Sequence, residues 1–124
     1  MTMAPEWRAV SDNSLTLEDS VALLRFADTV RARLEQSLNG IGLSWARYEI
    51  LDCLTRSGAM TYSGLARTLV RHRTSVAATV SALEDAGLVV RASNPYKQQQ
   101  HLIRITTRGH DIRTQAEEML TAQS

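Results

Sequence analysis

The stretch 60–106 reads MTYSGLARTLVRHRTSVAATVSALEDAGLVVRASNPYKQQQHLIRIT, and it decides the fold of the chain. Its first part predicts a short helix, because Thr61 is a typical N-cap and an apolar face follows at helical spacing, formed by Leu65, Ala66 and Leu69. After a turn at 70–72, a second apolar face predicts a second helix, formed by Val76, Val80 and Leu83. Gly87 is placed to end that helix, since glycine readily adopts left-handed geometry.

The second part of the stretch predicts a β-hairpin. The runs 88–90 and 102–105 are apolar and strand-like, and the loop between them contains Asn94-Pro95. Two helices, a glycine stop and two strands in this order are typical of a helix-turn-helix followed by a β-wing.

Helices are also predicted on both sides of this stretch. A long helix begins near Ser14 or Thr16 and stops at Asn39-Gly40, and another runs from Ser44 to Gly58. The last helix covers 107–122. The expected fold is mainly α with a small β-wing, in the order α-α-(β)-α-α-β-β-α, where the bracketed strand is a short one at 59–60.

Composition and length indicate one ordinary globular domain. The chain has 124 residues, of which 44% are hydrophobic and 22% charged. We expect a cytoplasmic protein, because the sequence shows no apolar run of the roughly 20 residues that a membrane span needs, no secretory signal, and only one cysteine.

Charge is unevenly distributed, although the net charge is only +1. Residues 61–104 contain six basic and two acidic side chains, whereas residues 1–60 contain six basic and eight acidic ones. The positive charge therefore gathers in the segment with the helix-turn-helix order, as a surface facing phosphates requires. Double-stranded DNA is the partner that this distribution favours.

The start of the second short helix supplies the candidate base-reading residues. A recognition helix points its N-terminal turn into the major groove, where arginine pairs with guanine and small polar or methyl groups contact other bases. The predicted major-groove residues are Arg73, Thr74, Ser75, Ala77 and Ala78. Thr74 or Ser75 could instead only cap the helix. The predicted DNA-backbone contacts are Thr61, Ser63, Arg67, Arg71 and Arg91, and the predicted wing contacts are Asn94, Lys97, Gln98, Gln99 and His101.

Five segments resemble the MarR family of winged-helix transcription regulators. They lie in register from Leu43 to Gly109 and read LSWARYEIL (43–51), MTYSGLA (60–66), RTSV (73–76), LEDAGLV (83–89) and ITTRG (105–109). The resemblance implies a homodimer whose recognition helices match the half-sites of a palindromic operator. It implies a single winged-helix domain over 14–124, with dimerisation helices at 14–40 and 107–124 and a DNA-binding lobe at 43–106. Residues 1–13 are expected to form a flexible arm, because they are polar, contain Pro5 and show no clear period.

The sequence departs from the family pattern in three places. The wing carries KQQQH (97–101) where the family has an arginine that enters the minor groove, so we expect a shallower salt dependence of DNA binding. Ala77 and Ala78 stand at positions that are often polar. The family's additional C-terminal helix has no counterpart, so dimerisation is expected to rest on the helices 15–39 and 107–122.

A small-molecule pocket is implied near Trp45, Arg47 and Tyr48, with an aromatic or carboxylate effector, although an aromatic pair at helical spacing can also be core. Cys53 could serve as a thiol sensor. A buried apolar role is the better interpretation, because Cys53 is the single cysteine and lies between Ile50 and Leu54.

No cofactor, metal site or catalytic arrangement is predicted, so we expect no enzyme. The leading hypothesis is a ligand-responsive repressor. The alternatives are a winged helix used for protein–protein contact, and a thiol or metabolite sensor with weak or no DNA binding.

Overall fold

The computed structural model describes residues 15–122, and of Gln98 and Gln99 only the backbone. Its elements are α1 (Leu17–Leu38), a 3-10 turn (Asn39–Ile41), α2 (Trp45–Ser57), α3 (Tyr62–Leu69), α4 (Arg73–Asp85), β1 (Val89–Asn94), β2 (Lys97–Ile105) and α5 (Thr107–Ala122). The predicted order of elements is confirmed. The N-terminal arm at 1–13 and a helix start at Ser14 lie outside the described residues.

The chain divides into two compact units, and the boundary between them falls within α1. One unit holds the described residues up to Arg33, and the other begins at Leu34 and contains α2 to α5 with both strands. A single domain over 14–124 stays a prediction.

Threonine and serine side chains cap four of the five described α-helices, which are α1, α2, α3 and α5. Thr16 accepts the Asp19 N–H at 3.0 Å and Ser44 accepts the Arg47 N–H at 3.2 Å. Thr61 accepts the Gly64 N–H at 3.0 Å, and Thr106 accepts the Gly109 N–H at 3.0 Å. Each bond satisfies an amide that the first turn of a helix leaves without an internal partner.

The turn between α3 and α4 is strained at Val70. This residue has φ 53° and ψ 55°, and it is the one described residue other than glycine with a positive φ. A β-branched side chain is disfavoured in this left-handed region. The conformation is held because the Val70 and Arg71 N–H groups donate to the Arg67 and Ala66 carbonyls at 3.4 and 2.9 Å.

The wing is the antiparallel hairpin of β1 and β2, and it is longer than the sequence predicted. Arg91, Ala92 and Ser93 continue β1 by pairing with Ile103, Leu102 and His101. Asn94 pairs with Lys97, so the expected loop around Asn94-Pro95 contains only the two residues between them. The register of the pairing shifts between Ser93 and Asn94. The short strand expected at 59–60 is a single bridge from Met60 to Ile103.

The corner where the wing meets α5 is tightly packed around Thr106. Its backbone N–H donates to the Leu88 carbonyl at 3.0 Å, and its hydroxyl donates to the Gly87 carbonyl at 2.8 Å. These bonds bring the start of α5 against the turn after α4, where Gly87 has φ 76°. Gly109 is buried at this contact. It packs so closely that an added Cβ would collide with the Leu88 carbonyl oxygen.

The core of the second unit is formed by the inner faces of its helices and the base of the wing. The predicted inner residues of α4 are all buried, and so is Leu65 of α3. The largest fully buried side chains are Leu38, Leu51, Leu54, Leu65, Leu83, Ile103, Val80 and Val89. This core fixes the orientation of α3, α4 and the wing, which carry the candidate site.

Candidate nucleic-acid interface

The first turns of α4 expose every residue from 73 to 78 except the buried Val76. Arg73, Thr74 and Ser75 are exposed there, as are Ala77 and Ala78 on the next turn. The helix begins at Arg73 and its N-cap is His72, which makes no side-chain cap bond. Thr74 and Ser75 therefore do not cap α4, and the five predicted base-reading residues lie together on one exposed end of the helix.

The turn before α4 adds positive charge to this surface. Arg67, Arg71 and His72 line a shallow depression together with Ala66 and Val70. Ser63 and Arg67 are exposed on α3, whereas Thr61 is half-buried and uses its hydroxyl as the helix cap. Among the residues predicted to contact the DNA backbone, Ser63 and Arg67 face solvent. The Thr61 hydroxyl oxygen accepts the cap bond, so its proton can still be donated to a phosphate.

Arg71 is held by an acidic residue of α2. Its Nη2 lies 3.0 Å from Glu49 Oε1, and the Glu49 side chain is 15% exposed. This ion pair fixes the guanidinium beside the turn, so Arg71 can offer to a phosphate only the N–H groups that Glu49 does not use.

Arg91 is held in a similar way across the base of the wing. Its Nε lies 3.0 Å from Glu84 Oε2 near the end of α4. Hydrogen bonding to Glu84, followed by hydrogen bonding to Tyr62, raises the pKa of Arg91. The sequence predicted that Arg71 and Arg91 contact the DNA backbone but did not indicate their acidic partners, Glu49 and Glu84. Glu49 lies 22 residues before Arg71, and Glu84 lies seven residues before Arg91.

The tip of the wing is a turn organised by Asn94. Its Oδ1 accepts the Tyr96 N–H at 2.9 Å, and its Nδ2 donates to Gln100 Oε1 at 3.2 Å. Asn94 therefore builds the turn, while Lys97 and His101 are exposed on β2. The predicted roles of Gln98 and Gln99 concern side chains that lie outside the described part of the chain. Tyr96, which the sequence patterns did not single out, is 92% exposed at this tip.

A separate cavity lies beside the aromatic pair of α2. The rings of Trp45 and Tyr48 are 5.3 Å apart between centroids and inclined by 31°. They line a cavity of about 310 Å³ whose other walls include Glu49, Asp52 and Leu69. The predicted third member, Arg47, is not among the residues that line it.

Asp52 and Arg56 in the wall of this cavity belong to an ion-pair network that connects α2 to α5. Asp52 Oδ1 accepts from Arg113 Nη2 at 2.8 Å, and Asp52 Oδ2 accepts from Arg56 Nε at 2.9 Å. Arg113 also pairs with Glu117 at 2.8 Å. Burial, with the charge of Asp52 as the second cause, raises the pKa of Tyr48, so its phenol remains a proton donor at neutral pH.

Cys53 belongs to the buried core and also lines the cavity beside Trp45 and Tyr48. It is 6% exposed, and its Sγ lies 3.4 Å from the sulfur of Met60. Burial raises the pKa of the thiol. A reactive cysteine needs accessible thiolate, so this environment favours the apolar role over the sensor role.

Two findings on residues 15–122 concern metal ions and membranes. That part of the chain holds no group of three histidine, cysteine or acidic residues placed to bind a metal ion. Within the same range, none of the helices has the length and apolar character of a membrane span.

The geometry defines a winged helix-turn-helix protein of the nucleic-acid-binding type, and comparisons with known proteins give its family. The family model described as MarR family matches residues 43–96. Sco5413, a MarR family transcriptional regulator from Streptomyces coelicolor, is 30% identical, with 86% of this chain and 74% of that chain covered and a TM-score of 0.76. The chain therefore belongs to the MarR family, whose members are regulators rather than enzymes.

Other solved structures agree on the fold. A MarR family transcriptional regulator from Rhodococcus sp. RHA1 is 27% identical, with 88% of this chain and 79% of that chain covered and a TM-score of 0.76. AbfR of Staphylococcus epidermidis in its reduced form bound to DNA is 18% identical, with 83% and 75% covered and a TM-score of 0.76. No curated protein sequence matches the chain.

Proposed function

We propose that the chain is a sequence-specific DNA-binding repressor that acts as a homodimer on a palindromic operator and leaves it when a small aromatic effector binds. The exposed end of α4 carries this proposal. An exposed arginine such as Arg73 can pair with guanine, while Thr74 and Ser75 add hydroxyl groups and the two alanines add methyl contacts. The acidic residues of α4, Glu84 and Asp85, stand at its other end, so no carboxylate of that helix repels a phosphate there.

The first test measures binding to the DNA upstream of the chain's own coding region by fluorescence anisotropy at low and physiological salt. We expect sequence-specific binding that Arg73→Ala weakens by roughly 10- to 100-fold, because a bidentate arginine–guanine contact contributes about 1–3 kcal/mol. Arg108→Ala removes the same charge from the exposed start of α5 and serves as the matched control.

Two outcomes would contradict this assignment. If the wild-type protein shows no sequence preference at low salt, the chain is not an operator-binding regulator, and a winged helix used for protein contact becomes the better interpretation. If Arg73→Ala loses no more affinity than Arg108→Ala, base reading lies elsewhere than the first turn of α4.

A second copy of this chain is the partner proposed for α1. Two stripes of this helix expose apolar side chains, one formed by Leu17, Val21 and Leu24 and the other by Leu23, Phe26 and Val30. Apolar surface of this extent is unusual on a monomer and typical of an interface. A two-fold dimer would also match the symmetry of a palindromic operator, since each recognition helix then meets one half-site.

The cavity beside Trp45 and Tyr48 is the proposed effector site. Its aromatic wall suits a flat ring, and its volume is within the range of small-ligand pockets. Two acidic side chains in its walls, Glu49 and Asp52, outnumber the one basic side chain, Arg56, which favours a neutral or cationic aromatic compound over the carboxylate compound that the sequence also allowed. Because Glu49 holds Arg71 beside the turn before α4, a ligand that draws Glu49 away would alter the DNA-facing surface.

Tryptophan fluorescence tests the effector site. We expect phenol-like and aromatic amine compounds to quench the emission of Trp45 and to lower operator affinity, and benzoate to do neither at the same concentration. Trp45→Phe is the control. Trp7 is then the only tryptophan of the variant, and the quenching should be abolished. Benzoate quenching as strongly as the amines would contradict the charge argument.

A further inference from the structure

We propose that Tyr96 is the residue with which the wing contacts DNA, and that its ring and hydroxyl enter the minor groove next to the major groove occupied by α4. The inference rests on the proposed function and adds to it a contact residue and the base composition that this residue favours. It also explains how a wing without an arginine at its tip can hold DNA.

The turn that carries Tyr96 is organised by side-chain hydrogen bonds. Tyr96 is one of two residues between the paired ends of β1 and β2, and its side chain is 92% exposed. The Asn94 side chain accepts the Tyr96 N–H at 2.9 Å, and the same side chain is tied to Gln100 at 3.2 Å. The backbone under the ring is therefore organised before any partner binds, which lowers the entropic cost of a contact.

The length of the wing fits the spacing of the grooves. β1 has six residues and begins four residues after the end of α4. At about 3.3 Å per residue it extends the tip by roughly 17–20 Å. Neighbouring major and minor grooves are separated along the DNA axis by about half of the 34–36 Å helical repeat. A wing of this length reaches the minor groove flanking a half-site.

The charge around the tip favours a nucleic acid over a protein partner with basic residues. The hairpin from Val89 to Ile105 contains Arg91, Lys97 and Arg104 and no acidic residue, and Lys97 is the one of the three beside the tip. Lys97, directly after Tyr96, is exposed and can contact the phosphates at the groove edge. Nothing on the hairpin therefore opposes close approach of its tip to the phosphate backbone.

The chemistry of tyrosine predicts which bases it prefers. An A·T pair presents only acceptors in the minor groove, whereas a G·C pair adds the guanine amino group, which is a donor and narrows the available space. A phenol hydroxyl can donate to the acceptors of A·T, and the ring can pack against the sugars. We therefore expect a preference for A·T pairs in the flank that the wing reaches.

The test compares wild type with Tyr96→Ala and Lys97→Ala on the operator duplex over a series of salt concentrations. Tyr96→Ala should weaken binding about 10-fold without changing the slope of log affinity against log salt, because it removes no charge. Lys97→Ala should reduce the magnitude of that slope by about 0.9 for each phosphate that the lysine neutralises in the wild-type complex. Tyr96 is exposed, and unchanged thermal unfolding of the variant checks that the fold is intact.

Base substitution in the flank identifies the groove. Replacing A·T by inosine·cytosine changes the major groove but adds no amino group to the minor groove. Replacing A·T by G·C changes the major groove and also adds the guanine amino group to the minor groove. Wild type should tolerate inosine·cytosine and lose affinity on G·C, and Tyr96→Ala should treat the two duplexes alike.

The outcomes separate the two proposals. Wild type that binds the operator while Tyr96→Ala binds equally well overturns the role of Tyr96 and leaves the proposed function standing. A slope change in Tyr96→Ala as large as that in Lys97→Ala also overturns it, since the contact would then act through charge. Absence of any duplex binding by wild type at low salt overturns both.

Discussion

Replacing Gly109 with alanine should destabilise the protein by about 3 kcal/mol and lower its melting temperature by roughly 10 °C. Alanine normally stabilises a helix relative to glycine by up to about 1 kcal/mol. Here the added Cβ would collide with the Leu88 carbonyl oxygen and lie 2.7 Å from Ile105 Cγ1. Because the closer atom belongs to the backbone, the start of α5 must move away from the turn after α4, which breaks the bonds of Thr106.

The matched control is Gly64→Ala. Gly64 occupies the same position in α3 as Gly109 in α5, since both donate their N–H to the capping threonine three residues earlier. Its added Cβ would meet only the Thr61 and Met60 side chains, at 3.2 and 3.4 Å. Denaturant unfolding should show Gly64→Ala within about 1 kcal/mol of wild type. Equal stability of the two variants would show that the corner tolerates a side chain.

Replacing Leu24 with glutamate should convert the proposed homodimer into monomers and weaken operator binding by at least about 100-fold. Leu24 is 66% exposed on α1, so the change does not disturb the core. In a dimer the same side chain would be buried against a second copy, and an unpaired charge there is strongly unfavourable. A monomer contacts one half-site and loses the affinity that two linked sites provide.

Sedimentation equilibrium measures the association state, and anisotropy measures the affinity. Gln36→Glu adds the same charge at an exposed position of α1 away from the apolar stripes and should remain dimeric. Circular dichroism should show equal helix content in both variants. If Leu24→Glu and the double variant Leu24→Glu/Phe26→Glu both sediment as dimers, α1 does not form the interface.

The parts of the fold that the sequence predicted depend on short-range signals. The caps at Ser44 and Thr61 and the stop at Gly87 act within one helical turn, and the apolar spacing of α4 repeats within 13 residues. The extent of the wing was underestimated because Arg91 to Ser93 are polar or small. Those residues are strand because of backbone pairing with β2, which leaves no pattern in the side chains.

The candidate site was predicted as a set of residues but not as a set of contacts. The exposed end of α4 follows from helical periodicity, and all five proposed base-reading residues lie on it. The Glu49–Arg71 pair arises only when α2 packs beside the turn before α4, so no local signal could indicate it. Tyr96 was missed for a related reason, since its prominence depends on where the two strands end.

The buried position of Cys53 makes the protein suitable for site-directed labelling. It is the single cysteine of the chain, it is only 6% exposed, and burial raises the pKa of its thiol. A cysteine introduced at exposed Ala78 would therefore react first with a maleimide or a spin label on an otherwise natural sequence. In the proposed homodimer, the distance between two such probes would report how far apart the recognition helices stand, with and without an effector.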